Sequence, residues 1–181
     1  MQDPVDHLAA AADIVAALKT IGLEAVLVGG MALVVLGSRR VTRDFDFLVP
    51  HPGARLADTV GLFYDRRFEL VSSLTGDGDV QSTISTRRVA IARLRIDRPE
   101  AAFFFNHGTG LRIDLLFDFP IPAADVAERA ARTTIRAHQF AIASEEDLLR
   151  LKQIAASARS APGDADDIAF LEARLKRRRE N

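Results

Sequence analysis

Two aspartates that are two residues apart, Asp44 and Asp46, carry the clearest chemical pattern in this sequence. The segment from Asp44 to Val49 predicts a β-strand, and residues two apart on a strand share one face. The two carboxylates would therefore lie side by side. Crowded negative charges need a cation, and carboxylate oxygens suit Mg²⁺ together with substrate phosphates. Taken alone, the same pattern also fits the solvated edge of a strand.

A glycine pair, Gly29-Gly30, lies between a short apolar strand and a short apolar helix. Glycines at such a junction let backbone N–H groups approach phosphate oxygens closely. An ordinary tight turn explains the pair equally well in isolation. The combination is more specific: strand, glycine pair, helix, basic connector, and then the strand with the two aspartates. It predicts a phosphate site next to a divalent-cation site.

A third carboxylate has three candidates, namely Asp97, Asp114 and Asp118. Asp114 lies within the predicted strand 111–119, and hydrophobic residues flank it on both sides. A buried aspartate needs a partner, so we prefer Asp114 for the role. Asp118 would share the same strand face, so spacing alone leaves the choice open.

The segment VGGMALVVLGSRRVTRDFDFLV resembles the signature of the DNA polymerase β-like nucleotidyltransferase superfamily. The closer resemblance is to the AbiEii/MenT type of toxin nucleotidyltransferase, for which an Arg-x-Thr-x-Asp-x-Asp pattern is typical. Here that pattern runs from Arg40 to Asp46. A typical C-terminal pattern also has counterparts in this chain, which are Ser144, Asp147, Leu148, Lys152, Arg159, Asp164 and Asp167.

The resemblance implies roles for individual residues. Gly29 and Gly30 would contact the triphosphate of an NTP substrate. The carboxylates Asp44, Asp46 and Asp114 would hold two Mg²⁺ ions, or Mn²⁺. Many relatives have serine after the glycine pair where this chain has Met31. Lys152 and the connector residues would contact the nucleotide phosphates instead, the connector residues being Ser38, Arg39, Arg40 and Thr42.

The implied activity is transfer of an NMP from the NTP to an acceptor hydroxyl. The toxin resemblance points to a tRNA 3′ end or a protein hydroxyl as acceptor, and to a cognate antitoxin as partner. Small-molecule nucleotidylation is an alternative, although we expect it to need a larger C-terminal region. A catalytically inactive nucleotide-binding relative is another alternative. Basic clusters fit an RNA acceptor without establishing one; they are Arg39/Arg40/Arg43, the arginines between 87 and 98, and 176–179.

The 181 residues contain no cysteine, which excludes disulfides, thiolate metal sites and cysteine nucleophiles. The four histidines lack metal-ligand spacing, so a zinc site is not expected. We see neither a signal peptide nor an apolar run of about 18 residues that could span a membrane. We therefore expect a cytoplasmic protein without membrane contacts.

The order of helical and strand patterns predicts an α/β (α+β) fold, with a mixed sheet flanked by helices and a C-terminal helical segment. We expect a nucleotidyltransferase core over residues 1–143 and the helical segment over 144–181. Asp3-Pro4 is typical of a helix start. Alternation over 89–96 predicts a strand, and a Gly-rich stretch at 106–110 predicts a hairpin turn.

Overall fold

The computed structural model describes residues 6–158, 161 and 163–180, so the helix start predicted at Asp3-Pro4 lies outside it. The described residues form seven α-helices and eight β-strands. The helices are α1 (His7–Thr20), α2 (Gly29–Val35), α3 (Leu56–Tyr64), α4 (Arg87–Asp97), α5 (Ala123–Arg129), α6 (Glu145–Ala158) and α7 (Asp164–Glu180). The strands are β1 (Val26–Val28), β2 (Phe45–Val49), β3 (Glu69–Leu74), β4 (Val80–Ile84), β5 (Ala101–Asn106), β6 (Leu111–Phe117), β7 (Ala131–Ile135) and β8 (His138–Ile142).

All eight strands belong to one mixed sheet in the order β4-β3-β5-β6-β2-β1-β8-β7. Strand β2 runs parallel to β6, and β1 runs parallel to β8, while the other neighbours are antiparallel. The predicted α/β class with a mixed sheet flanked by helices is confirmed. The division into 1–143 and 144–181 stays a prediction.

Local sequence explains how several elements begin. The carboxylate of Asp6 caps α1 by accepting the backbone N–H of Leu8 and Ala9, each at 3.1 Å. Helix α6 begins where the sequence predicts it, since the Asp147 N–H donates to Ser144 Oγ at 3.1 Å. Such side-chain acceptors satisfy amides that have no partner within the helix. The cap at Ser144 thus fixes the start of the helix that carries Lys152.

The strand predicted over residues 89–96 is wrong, because this segment lies in helix α4. Its buried residues are Ala90 and Leu94, which are four apart and share a helical face. Val89 and Ile96 are instead 51% and 79% exposed. The apparent alternation came from apolar residues that the fold leaves in solvent.

Five strands have no counterpart in the sequence prediction, namely β3, β4, β5, β7 and β8. Strands β3 and β4 form a hairpin around the loop at 75–79, and β7 and β8 form another after α5. Helix α5 ends at Arg129, and Ala131 begins β7. The hairpin turn predicted at 106–110 is confirmed between β5 and β6. Among the described residues no helix is both long and apolar enough to cross a membrane.

Phe104 on β5 offers a test of the core. Its buried ring stacks on Phe63 of α3, with the ring centroids 3.9 Å apart. We expect Phe104→Ala to lower the free energy of unfolding by about 3–5 kcal/mol in urea denaturation. The exposed Ile96→Ala is the control and should change that free energy by at most about 0.5 kcal/mol. Equal losses in the two variants would contradict this packing.

Candidate active site

The parallel pairing of β2 with β6 brings two of the predicted carboxylates together. In this register Asp46 lies directly opposite Asp114, and Phe45 lies opposite Ile113. Directly opposed residues on neighbouring strands project from the same face of the sheet. Asp44 immediately precedes β2, and Asp114 is only 3% exposed. The structure thus gathers Asp44, Asp46 and Asp114 at one place on the sheet.

Mutual repulsion and burial perturb the ionisation of these carboxyls. The pKa of Asp46 is raised to about 7, first by burial and then by the negative charges of Asp114 and Asp44. The positive charges of Arg112 and Lys152 act in the opposite direction on Asp46. Burial also raises the pKa of Asp114, against a hydrogen bond from Arg112 that lowers it. Burial and the neighbouring negative charges therefore leave Asp46 only partly ionised at neutral pH, despite the nearby cations.

Arg112 is the principal cation within this cluster, and sequence reasoning assigned it no role. Its Nε donates to Asp114 Oδ1 at 2.8 Å, and its Nη2 donates to Asp114 Oδ2 at 2.6 Å. Its Nη1 lies 3.9 Å from Asp44 Oδ2. The available signal was spacing, because Arg112 lies two residues before Asp114 and therefore on the same strand face.

The glycine pair packs directly against charged side chains of the site. A Cβ atom added to Gly29 would lie 2.1 Å from Asp46 Oδ2, and Gly29 also has a positive φ of 65°. A Cβ atom added to Gly30 would lie 2.9 Å from Cζ of Arg40. A side chain at Gly29 would therefore collide with the Asp46 carboxylate. The glycines keep the backbone in contact with Asp46 and Arg40.

Lys152 on α6 joins an ion-pair network with the first turn of α7. Its Nζ lies 2.7 Å from Asp167 Oδ2 and 3.5 Å from Asp164 Oδ1. Arg40 also donates to Asp167 Oδ2. Lys152 and Arg40 are thus the cations that pair with these acidic residues of the C-terminal pattern. Arg159 of the same pattern lies outside the described residues.

The other connector residues differ in their surroundings. Ser38 Oγ accepts the backbone N–H of Arg40 at 3.3 Å. Thr42 is half-buried, whereas Arg39 and Arg43 are exposed. Neither exposed arginine forms an ion pair with the residues that the structure describes. The connector that precedes Asp44 therefore carries two exposed positive charges, of which Arg43 is the residue directly before Asp44.

The two competing carboxylates have structural contacts elsewhere. Asp118 accepts the backbone N–H of His51 at 2.8 Å and that of Ala123 at 2.9 Å. These hydrogen bonds connect Asp118, directly after β6, to His51, two residues after the end of β2, and to Ala123 at the start of α5. Asp97 pairs with Arg93 on α4. Asp114 is thus the candidate whose strand register matches that of Asp46.

The donor set fits a hard divalent cation by its chemistry. It consists of carboxylate oxygens, and burial raises the pKa of two of these groups, Asp46 and Asp114. Across the described residues, however, no three histidine, cysteine or acidic side chains stand close enough together to form a metal site as they are. In this arrangement Arg112 engages both oxygens of Asp114.

Comparison with known proteins agrees with the architecture. No protein-family model and no curated protein matches the sequence. Among solved structures, ANT(2″)-Ia in complex with adenylyl-2″-tobramycin matches with a TM-score of 0.59 and 13% identity, over 94% of this chain and 90% of the other. The lincomycin-bound lincosamide adenylyltransferase LnuA matches with a TM-score of 0.57 and 12% identity, over 94% and 98%. An antigenic nucleotidyltransferase-like protein from Paracoccidioides brasiliensis matches with a TM-score of 0.53 and 16% identity, over 92% and 75%. The chain has the nucleotidyltransferase fold.

Two of these nucleotidyltransferase-fold structures contradict one premise of the sequence analysis. Small-molecule nucleotidylation was expected to need a larger C-terminal region than this chain has. ANT(2″)-Ia and LnuA hold an adenylylated antibiotic and an antibiotic, respectively, and this chain spans 90% and 98% of their lengths. Chain length therefore does not argue against that alternative. The closer resemblance to AbiEii/MenT toxins stays a prediction.

The raised pKa of Asp46 predicts a pH dependence of stability. Because this pKa is about 7 in the folded protein and ordinarily 3.8, ionisation costs folding free energy as pH rises through 7. We expect Asp46→Asn, in EDTA at about pH 8, to melt at least about 3 °C above the wild type. The difference should shrink as pH falls towards about 5. A wild type that is more stable than Asp46→Asn at pH 8 would contradict this account of the site.

Proposed function

We propose that this chain transfers the NMP of an NTP to an acceptor hydroxyl in a Mg²⁺-dependent reaction. The observation that carries the proposal is the register of β2 with β6, which sets Asp46 opposite Asp114 on a nucleotidyltransferase fold. Asp44 lies two residues before Asp46 and completes a set of three carboxylates. Such a set, next to a glycine pair, suits a triphosphate with its metal.

Asp44, Asp46 and Asp114 would hold the divalent cations, two Mg²⁺ or Mn²⁺. Bound there, the ions would stabilise charge on the attacking and leaving oxygens of the displacement. The raised pKa of Asp46 supports this assignment, because a bound cation would offset the burial and the repulsion that cause it. Asp114 would lie towards the acceptor hydroxyl, and Asp44 and Asp46 towards the triphosphate.

The phosphates of the NTP would lie along the glycine pair. Gly29 and Gly30 have no side chain that would cover their own backbone, and the side chain of Arg40 packs against Gly30. Lys152 acts on Asp46 electrostatically and would bring a second cation to the phosphates. Asp167 would hold Arg40 and Lys152 in position. Ser38, Arg39 and Thr42 would complete the contacts from the connector.

The reaction would be an in-line displacement at the α-phosphorus. The acceptor oxygen forms a bond to phosphorus, the bond to the bridging oxygen of the β-phosphate breaks, and pyrophosphate leaves with that electron pair. The hydroxyl proton is released. This chain's residues would serve chiefly to position the reactants and to balance charge.

An RNA 3′ end, such as that of tRNA, is the acceptor that we propose first. Arg39 and Arg43, in the connector that precedes Asp44, are exposed and form no ion pair within the described part of the chain, which favours a polyanion over a cation. The resemblance to AbiEii/MenT proteins adds the further proposal that the chain is the toxin of a toxin–antitoxin pair, with an antitoxin as partner. A protein hydroxyl is the other acceptor implied by that resemblance.

A small-molecule hydroxyl is the second candidate. Two solved structures with this fold and nearly this length hold an adenylylated aminoglycoside and a lincosamide. Aminoglycosides are polycations, which the exposed arginines would repel. A neutral or anionic hydroxyl compound fits this chain better than a polycation does.

Transfer of label tests the proposal. Purified protein is incubated with Mg²⁺ and each α-³²P-labelled NTP in turn, with total RNA, with a protein extract or with a panel of hydroxylated antibiotics. We expect a labelled RNA of tRNA size, and at least about a hundredfold lower rate with Asp46→Asn or Asp114→Asn. Lys19→Met, at an exposed position on α1 and outside the basic clusters, is a control that should keep the wild-type rate.

Each outcome assigns the acceptor or rejects the activity. Label on a protein or on an antibiotic would replace RNA by that acceptor class. If the two aspartate variants transfer label as fast as the wild type, the proposed catalytic role of these carboxylates is wrong. No transfer from any NTP, despite Mg²⁺-dependent NTP binding, would favour the catalytically inactive relative.

Lys152 yields a separate prediction about the nucleotide. If its charge binds the phosphates, Lys152→Met should raise the KM for the NTP by about tenfold or more. The KM for the acceptor should change little. The measurement is steady-state kinetics with the preferred NTP, with Lys19→Met as the matched loss of one lysine. A Lys152→Met enzyme with unchanged KM and kcat would restrict Lys152 to its ion pairs with Asp164 and Asp167.

A further inference from the structure

Arg112 is held from three sides. Two of its nitrogens donate to both oxygens of Asp114, and its Nη1 donates to the carbonyl of Gly78 at 3.0 Å. Its guanidinium also lies over the ring of Phe103, 5.3 Å from the centroid. The Arg112 side chain is 17% exposed, and that of Asp114 is 4% exposed. A paired arrangement of this kind fixes both the direction and the charge of the guanidinium.

The position of this guanidinium conflicts with metal binding. The oxygens of Asp114 that would face a divalent cation each accept an N–H of Arg112 at 2.6–2.8 Å. The same guanidinium lies 3.9 Å from an oxygen of Asp44. A cation that used both carboxylates would meet a fixed positive charge at short range, in a partly buried place where screening is weak.

We infer that Arg112 is an internal counter-ion that competes with divalent cations for Asp114 and Asp44, so that a metal enters this site by displacing the guanidinium. The inference rests on the proposed role of these carboxylates as metal ligands. In the absence of metal, Arg112 compensates charges that would otherwise repel one another within the sheet. When metal is bound, that compensation is redundant. Arg112 therefore lowers the affinity of the site for free metal ions while it stabilises the metal-free protein.

Displacement of the Arg112 guanidinium would also affect the loop between β3 and β4. Gly78 belongs to the loop between β3 and β4. Within this loop the backbone N–H of Thr75 donates to the carbonyl of Asp79, and that of Gly78 donates to the carbonyl of Thr75. Arg112 connects this loop to the acidic cluster through the Gly78 carbonyl. If the guanidinium leaves Asp114, its hydrogen bond to the Gly78 carbonyl is also lost. Metal binding should therefore loosen residues 75–79.

The test measures metal binding without substrate. Mn²⁺ affinity is determined by titration with electron paramagnetic resonance at about pH 8. Four proteins are compared: wild type, Arg112→Gln, Arg95→Gln and Asp46→Asn. Arg95→Gln removes the same charge from an exposed position on α4 and serves as the matched control.

We expect Arg112→Gln to bind Mn²⁺ about tenfold or more tightly than the wild type. Arg95→Gln should equal the wild type, and Asp46→Asn should bind more weakly. A merely structural arginine would leave affinity unchanged or reduce it when removed. Wild-type binding that depends on Asp46 but does not strengthen in Arg112→Gln would overturn the inference and leave the proposed function intact. No Mn²⁺ binding by either protein would overturn both.

A second measurement needs no variant at Arg112. Amide hydrogen exchange of the wild type is followed by mass spectrometry with and without Mg²⁺. Residues 75–79 should exchange faster when Mg²⁺ is bound, whereas the turn at 106–110 serves as an internal control and should not change. If Mg²⁺ binds and protection of residues 75–79 stays the same or increases, Arg112 is not displaced and the inference is wrong.

Discussion

Like charges held side by side in a sheet are the constraint around which the rest of this site is arranged. The register of β2 with β6 sets Asp46 beside Asp114, and Asp44, directly before the start of β2, adds a third carboxylate. Backbone pairing and the apolar face of these strands fix that register, so the carboxylates cannot move apart. Two cations compensate these negative charges, namely Arg112 on the same strand as Asp114 and Lys152 on α6. The glycine at position 29 follows from the same constraint, because only a residue without a side chain fits against Asp46.

The C-terminal helices are bound into this electrostatic arrangement. Asp167 on α7 accepts from Arg40 and pairs with Lys152, and so links α6, α7 and the connector before β2. Glu145 on α6 pairs with Arg174, which also donates to the carbonyl of Leu36 at the end of α2. These bonds fasten the helical segment next to the glycine pair. A nucleotide between them would contact residues that are more than a hundred positions apart in the chain.

Sequence reasoning succeeded where local spacing decides structure, and it failed where distant partners decide it. The glycine pair, the strand of Asp44 and Asp46, and the strand of Asp114 all depend on short-range patterns. The helix at 87–97 has a mixed pattern that fits either period, and only its packing through Ala90 and Leu94 settles it. Strands β7 and β8 carry polar residues at half of their positions, so pairing rather than composition identifies them. The partners of Asp167, Arg40 and Lys152, could not be predicted from spacing, whereas Arg112 could have been found on the strand face of Asp114.

The fold itself does not select the acceptor, since chains of this length and architecture hold chemically different molecules. Selection must come from groups outside the shared carboxylates and glycines. In this chain Arg39 and Arg43, in the connector that precedes Asp44, are not engaged in described ion pairs, and Arg112 adds a positive charge on the side of Asp114. These positive charges would repel a cationic acceptor and attract a phosphodiester chain. Arg112, which compensates the acidic cluster without metal, would therefore also bias the site towards an anionic acceptor.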